Sequence, residues 1–208
     1  MIRKITLSLI LLVATTSLSA QEVNLESNGI YIEPKLNVVA ACVGIVNPAV
    51  EIGFGKSSAF EISTISSFAQ DDFLNTGYPL LLNIVMLEYR NYIFSDNHKG
   101  FFVAANGAWH EFKMHKGQVP FLHNVSESRD YDWGVGVFLG VTLGYKFKLT
   151  KALPLYLELS ATGGWQHSWH EPYMDGELYV AMNATGEWTP YKVAANLSYR
   201  LGKWYRAK

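Results

Sequence analysis

The sequence predicts an all-β protein: an eight-stranded antiparallel transmembrane β-barrel behind an N-terminal signal peptide. Three observations support this prediction. Apolar and polar residues alternate with a period of two over long segments, the first twenty residues have the composition of an export signal, and short connections alternate with long ones. Because successive side chains of a strand point to opposite faces, such alternation indicates strands with one apolar face.

The chain starts with the basic residues Arg3 and Lys4, and an apolar run from Ile5 to Leu18 follows. The run ends in small residues, so we expect an export signal that is cleaved after Ala20. The predicted domains are therefore a signal peptide at residues 1–20 and an outer-membrane barrel at residues 21–208. No later segment is apolar for the eighteen or so residues that a membrane-spanning helix needs.

The clearest strand covers residues 134–149, where one face is aliphatic and the other is small, polar or charged apart from Phe138. This strand is longer than a usual strand of about six residues. Its length suits a tilted crossing of a membrane, which needs about ten residues. The same alternation, or a weaker form of it, predicts eight strands at residues 30–41, 49–55, 59–67, 80–94, 101–113, 134–149, 155–169 and 191–201.

The connections after the second, fourth and sixth predicted strands are short, whereas those after the third, fifth and seventh are long, at residues 70–79, 118–133 and 171–188. The first connection is short as well and departs from this alternation. Transmembrane barrels have short periplasmic turns and longer outer loops. With both termini in the periplasm, the pattern predicts a protein of the cell outer membrane.

The polar face of the strands is rich in Gly, Ser, Thr and Asn, and its charges nearly balance, which suits a closed interior where an unpaired charge is costly. Aromatic residues cluster near the short turns, as at a membrane interface. A soluble lipocalin-like barrel, with its apolar face inside, is the alternative. The predicted interior charges are Glu33, Lys35, Glu51, Glu61, Glu88, Arg90, Lys146, Glu158, Lys192 and Arg200.

The composition limits the classes of molecule that we expect as partners. Charged residues make up 17% of the chain and the net charge is −1, so nucleic acid is not an expected partner. The single cysteine, Cys42, excludes an internal disulfide. Membrane lipid is the expected partner. Aromatic residues assigned to the long loops either anchor those loops to the barrel rim or contact a protein or a glycan: Tyr131, Trp133, Tyr173, Tyr179 and Trp188.

Several short motifs resemble a known family. They are Pro34-Lys35-Leu36-Asn37, Asn47-Pro48-Ala49-Val50-Glu51 with Gly55-Lys56, Glu88-Tyr89-Arg90-Asn91-Tyr92, Gly140 to Tyr145, and Leu157-Glu158. The chain is similar to small outer-membrane barrels of Bacteroidota that are grouped as a domain of unknown function. This resemblance implies a barrel fold and an outer-membrane location, and it supplies no catalytic residues.

We expect a non-enzymatic barrel with a structural or surface-interaction role, and no catalytic, cofactor-binding or metal-binding residues. Histidine spacing matches no zinc pattern. The alternative of a lipid-modifying enzyme would use His167 and Ser168, but neighbours on a strand face opposite ways. We also predict that Lys146 and Glu158 lie opposite each other in neighbouring strands and form an ion pair.

Overall fold

A computed structural model describes residues 30–67, 73–75, 78–93, 98–115, 131–174, 177–178 and 182–201. The predicted signal peptide, Tyr179 and most of the loop at residues 118–133 lie outside the described residues. These residues contain ten strands: β1 (Tyr31–Asn37), β2 (Ile45–Val46), β3 (Pro48–Phe54), β4 (Ser58–Ser67), β5 (Leu80–Tyr92), β6 (Gly100–Met114), β7 (Tyr131–Lys148), β8 (Leu155–Met174), β9 (Glu177–Leu178) and β10 (Asn183–Tyr199). A helix, α1 (Val38–Cys42), and a 3-10 turn (Phe73–Asn75) complete the described elements.

The strands form one antiparallel sheet that closes into a ring. Its order is β1, β3, β4, β5, β6, β7, β8 and β10, and β10 pairs both with β8 and with β1. The short strand β2 pairs with β4, and β9 pairs with the end of β8. The prediction of an antiparallel all-β fold is confirmed. Among the described residues, no helix is long and apolar enough to cross a membrane.

The ring has an apolar outer face and a buried inner face. Along β7, the aliphatic residues at odd positions are exposed, and Leu139 at the centre of the strand is 64% exposed. The inner face carries Phe138, Thr142 and Lys146, and each of these residues is at most 1% exposed. Alternation thus assigns the faces of β7 as the sequence indicates.

Predicted boundaries of the first, seventh and eighth strands were wrong. The first strand ends at Asn37 and not at residue 41, because the Asn37 side chain accepts a hydrogen bond from Ala40 N and caps α1. The last loop, placed at residues 171–188, is largely strand, since β8 runs to Met174 and β10 begins at Asn183.

A β-bulge explains the error in the last strand. The register of β10 against β8 shifts between Pro190 and Lys192. Because Tyr191 is an extra residue, inward-facing side chains change from even-numbered positions after it to odd-numbered positions before it. The sequence placed Tyr191 on the outer face. It instead points inward, where its ring stacks on Phe138 with centroids 3.9 Å apart and its hydroxyl lies 2.9 Å from His110 Nδ1.

Two adjacent glycines of β8 provide a test of packing in the ring. A Cβ atom on Gly164 would lie 2.2 Å from Leu139 O, whereas one on Gly163 would meet its nearest atom, Thr189 O, at 3.6 Å. We predict that Gly164→Ala destabilises the protein by about 1–3 kcal/mol and that Gly163→Ala changes stability by less than about 0.5 kcal/mol. Denaturant unfolding of both variants measures this, and equal effects would contradict the β7–β8 packing.

Candidate functional site

The ring encloses a network of ten charged side chains, which we call the interior charge network: Glu33, Lys35, Glu51, Glu61, Glu88, Arg90, Lys146, Glu158, Lys192 and Arg200. All ten are buried, and they comprise five carboxylates and five cations, so their formal charges cancel. The strands place them there because each has the inward parity of its strand, and salt bridges join residues of strands that are not neighbours in the sheet.

Arg90 lies at the centre of the network. Its Nη1 donates to both carboxylate oxygens of Glu158, at 3.0 and 2.9 Å, and Nη2 donates to Glu61 at 2.6 Å and to Glu88 at 2.9 Å. Nη1 also lies 3.1 Å from Glu51 Oε2. The planar guanidinium can serve several carboxylates at once because it carries five donors in fixed directions. Arg90 therefore connects β3, β4, β5 and β8.

Lys35 occupies the space between three carboxylates. Its Nζ lies 2.6 Å from Glu51, 2.8 Å from Glu61 and 2.5 Å from Glu158. Oxygens of these carboxylates lie within 4.8 Å of one another, a spacing that could hold a metal ion. The Lys35 ammonium already lies between them, so we assign the three carboxylates to ion pairing with Lys35 and Arg90.

Lys146 and Glu158 are opposite each other in the β7–β8 register, as the sequence predicts. Their ion pair, however, is long: Lys146 Nζ lies 3.7 Å from Glu158, but 2.7 Å from Glu51 and 3.0 Å from Glu33. Glu158 has closer cations in Lys35 and Arg90. The predicted Lys146–Glu158 ion pair is thus present, but it is the longest of the three, because the lysine also reaches across the ring to β1 and β3.

The network extends to the short-turn end of the ring. Arg200 Nε donates to Glu33 at 2.6 Å, and its guanidinium lies over the rings of Tyr31 and Tyr156 at 3.8 and 4.5 Å. The arginine also donates to His98 O at 3.0 Å. Burial lowers the pKa of His98, so its imidazole stays neutral beside this cation. These contacts fill the end of the ring with aromatic rings and one guanidinium.

On the long-loop side of the charges, the interior becomes apolar. Lys192 donates to Glu88 at 3.0 Å and reaches Met86 Sδ at 3.5 Å, at the boundary between the two layers. The apolar layer is a cluster of Ile84, Met86, Ala108 and Phe138, with Ile65 and Tyr191 against it. Side chains thus occupy the described interior in at least two successive layers, one charged and one apolar.

Sequence reasoning missed the tyrosines that support the network. The Tyr31 and Tyr92 hydroxyls both donate to Glu51, Tyr92 at 3.0 and 2.9 Å from its two oxygens. The signal was available, since Tyr31 shares the parity of Glu33, and Tyr92 that of Arg90. Of the aromatic residues assigned to loops, Tyr131 and Trp133 lie in β7, Tyr173 in β8 and Trp188 in β10.

The structure places the candidate catalytic pair on opposite faces of β8. Ser168 is buried, where its hydroxyl lies 3.1 Å from Thr185 Oγ1, whereas the neighbouring His167 is only partly buried and its ring stacks on Trp165 of the outer face. The two side chains therefore do not converge on one substrate.

Comparison with protein families identifies the chain. A family model described as "Protein of unknown function (DUF3575)" matches residues 6–201. The chain belongs to this family. No curated protein and no solved structure matches it. The DUF3575 match covers every strand of the ring and all ten members of the interior charge network.

The distances in this DUF3575 protein predict unequal coupling between Lys146 and two carboxylates. In a double-mutant cycle, Lys146→Met with Glu51→Gln should show a coupling of about 2 kcal/mol, because the pair is buried at 2.7 Å. Lys146→Met with Glu158→Gln, separated by 3.7 Å, should show less than about 0.5 kcal/mol. Unfolding in detergent measures both. Larger coupling to Glu158 would show that the lysine pairs across β7 and β8.

Proposed function

We propose that this protein is an integral protein of the outer membrane, an eight-stranded β-barrel that is exported by a signal at residues 1–20 and has a structural or surface-interaction role without catalysis. One observation carries the proposal: charged residues are buried inside the ring while aliphatic residues are exposed around it. In water, this distribution would leave a large apolar surface in unfavourable contact with solvent. In a bilayer, the same outer surface contacts hydrocarbon.

Two belts of exposed aromatic residues support a membrane position. The first, near the short turns, contains Phe60, Phe101, Tyr145, Phe147 and Tyr199. The second, toward the long-loop end, contains Trp109, Trp133 and Trp169. On β7 the belts are marked by Trp133 and Tyr145, about a dozen residues apart, and a tilted strand needs about ten to cross hydrocarbon. Aromatic rings favour both interfaces of a bilayer.

The connection between β1 and β3 fits the same position. Residues 38–46 contain only apolar side chains and one glycine, and Val39 and Val43 are exposed. An apolar connection of this kind is favourable against lipid, and α1 satisfies part of its own backbone hydrogen bonding.

The filled interior favours a structural role over a diffusion channel. An eight-stranded barrel leaves an interior just wide enough for side chains. Here Arg90 and Lys146 are buried in the charged layer, and the Phe138–Tyr191 stack lies in the apolar layer above it. Membrane lipid is the proposed partner of the outer face, and a protein or glycan could contact the loops.

The arrangement of faces weighs against a lipocalin-like barrel, whose apolar residues would face inward around a ligand. The enzyme alternative has no supporting geometry at His167 and Ser168, which face opposite ways on β8.

The proposal predicts recovery in the outer-membrane fraction. Cells that produce the full chain should yield it with the membranes, and the unboiled protein should migrate differently from the boiled protein on a denaturing gel, because a closed sheet resists detergent until heated. Recovery as a periplasmic protein with a single mobility would refute the membrane proposal and favour the lipocalin-like alternative.

A substitution on the outer face tests contact with lipid. Leu139 lies at the centre of β7, and Leu149 just beyond its short-turn end. Leu139→Arg should cost about 2–4 kcal/mol near the bilayer midplane, whereas Leu149→Arg near the interface should cost about 0–1 kcal/mol. Folding into lipid vesicles measures the difference. Equal costs for the two substitutions would mean that the centre of β7 does not face hydrocarbon.

A further inference from the structure

The wall of the ring is incomplete beside β10. β1 pairs with β10 from Lys35↔Ser198 to Asn37↔Asn196, and an isolated bridge joins Ile32 to Leu201. Toward the long-loop end, β10 continues to Asn183 with β8 on one side. Among the described residues, no strand pairs with its other edge over residues 183–195. We call residues 183–195 on this side the free edge.

Exposure of side chains along β10 reflects the missing neighbour. Trp188 is 80% exposed and Val193 is 74% exposed, whereas Leu197, which lies within the β1–β10 ladder, is 40% exposed. A free edge leaves a row of backbone groups without ladder partners, and this is costly in apolar surroundings. One of these groups has a substitute partner, because Ala195 N donates to Asn37 Oδ1 at 3.3 Å.

The segment that should continue β1 along this edge is α1. The helix has five residues, none of them buried, and it begins with two valines. Isolated helices of this length are unstable, and β-branched residues favour strands. Its N-cap bond, from Ala40 N to Asn37 Oδ1, is 3.3 Å long. Little in the local sequence therefore favours the helix over an extended chain.

The registers on both sides would accept an extended segment. Continuing the β1–β10 register by two positions places Val38 opposite Ala195 and Val39 opposite Ala194. Continuing the β1–β3 register places the same two residues opposite Val46 and Ile45. Those two residues form β2, which already pairs with β4 in the register of β3 with β4. A partner strand is thus present on each side.

We propose that the free edge of β10 is the docking surface for Val38 and Val39 of this same chain. In the second state, these residues leave α1, extend β1, and pair with β10 on one side and β2 on the other. Residues 40–44 then form the loop, and Gly44 already has the positive φ of 77° that suits the end of such a turn. In the structure, the β1–β10 ladder ends at Asn37 and Asn196. Docking extends this ladder by two residue pairs, Val38 with Ala195 and Val39 with Ala194.

Docking also moves a side chain from outside to inside. Val39 is 55% exposed in α1. In an extended β1 it would take the inward parity of Lys35 and Asn37 and contact Ala194, which is 3% exposed. Contact between residues 39 and 194 is therefore specific to the docked state.

A disulfide between those positions tests the proposal. In the full chain with Cys42→Ser, the pair Val39→Cys and Ala194→Cys should form an intramolecular disulfide under mild oxidation, because directly opposed strand residues have the required Cα separation. The pair Leu36→Cys and Leu197→Cys, opposed in the present ladder, is the positive control. The pair Val39→Cys and Thr189→Cys, out of register, should stay reduced.

The rate of this reaction separates docking from a reaction within the helical state. Asn37→Ala removes the cap of α1 and should speed formation of the 39–194 disulfide about fivefold, the effect of an average N-cap. Asn37→Ser keeps a capping oxygen and should leave the rate near that of the parent.

Three results would overturn the proposal. The first is failure of the 39–194 pair to oxidise while the positive control does. The second is a rate that Asn37→Ala leaves unchanged, since the disulfide would then form from α1 itself. The third is a disulfide-linked dimer of Val193→Cys in the Cys42→Ser background, because Val193 is 74% exposed beside the free edge and such a dimer would place a second copy there.

Discussion

Pairing of buried charge is the constraint on which the rest of this structure depends. An ionised side chain without a partner is costly in an enclosed interior, so each of the five carboxylates needs a cation within reach. Glu158 meets this requirement with Lys35 from β1, Arg90 from β5 and the Asn196 amide from β10. These contacts fix the positions of three strands relative to β8, and they can form only if the sheet curves back on itself. The network and the closed ring therefore require each other.

Side chains pack differently in the charged layer and in the apolar layer of the ring. In the charged layer, long side chains extend to opposite walls, as Lys146 does from β7 to Glu51 of β3. In the apolar layer, the bulge in β10 turns Tyr191 inward, so that its ring covers Phe138 and its hydroxyl reaches His110. A regular strand would have placed an aromatic residue on the outside there. The bulge thus brings an aromatic ring into the apolar layer, against Phe138.

Alternation in the sequence was sufficient for the antiparallel all-β fold and for the buried face of most strands. It placed Phe138 with the polar residues of β7, and the short turn at residues 149–155 fixed the Lys146↔Glu158 register. It could not identify the closest ion-pair partners, because parity assigns a side chain to a face and says nothing about which walls meet across the ring. It also failed where a single residue changed the local geometry, as Asn37 does by capping α1 and Tyr191 by adding one residue to β10.

The short β1–β10 ladder has a consequence for the order of folding events. The two strands come from opposite ends of the described chain, and only three consecutive register pairs with one bridge join their backbones. Contacts so distant in sequence form late, since the entropy of a long loop must be overcome first. The seam is reinforced by side chains: Ser198 and Arg200 both donate to Glu33. Closure of the sheet should therefore be the slow step of folding, and Glu33 would acquire its partners on β10 only when that step occurs.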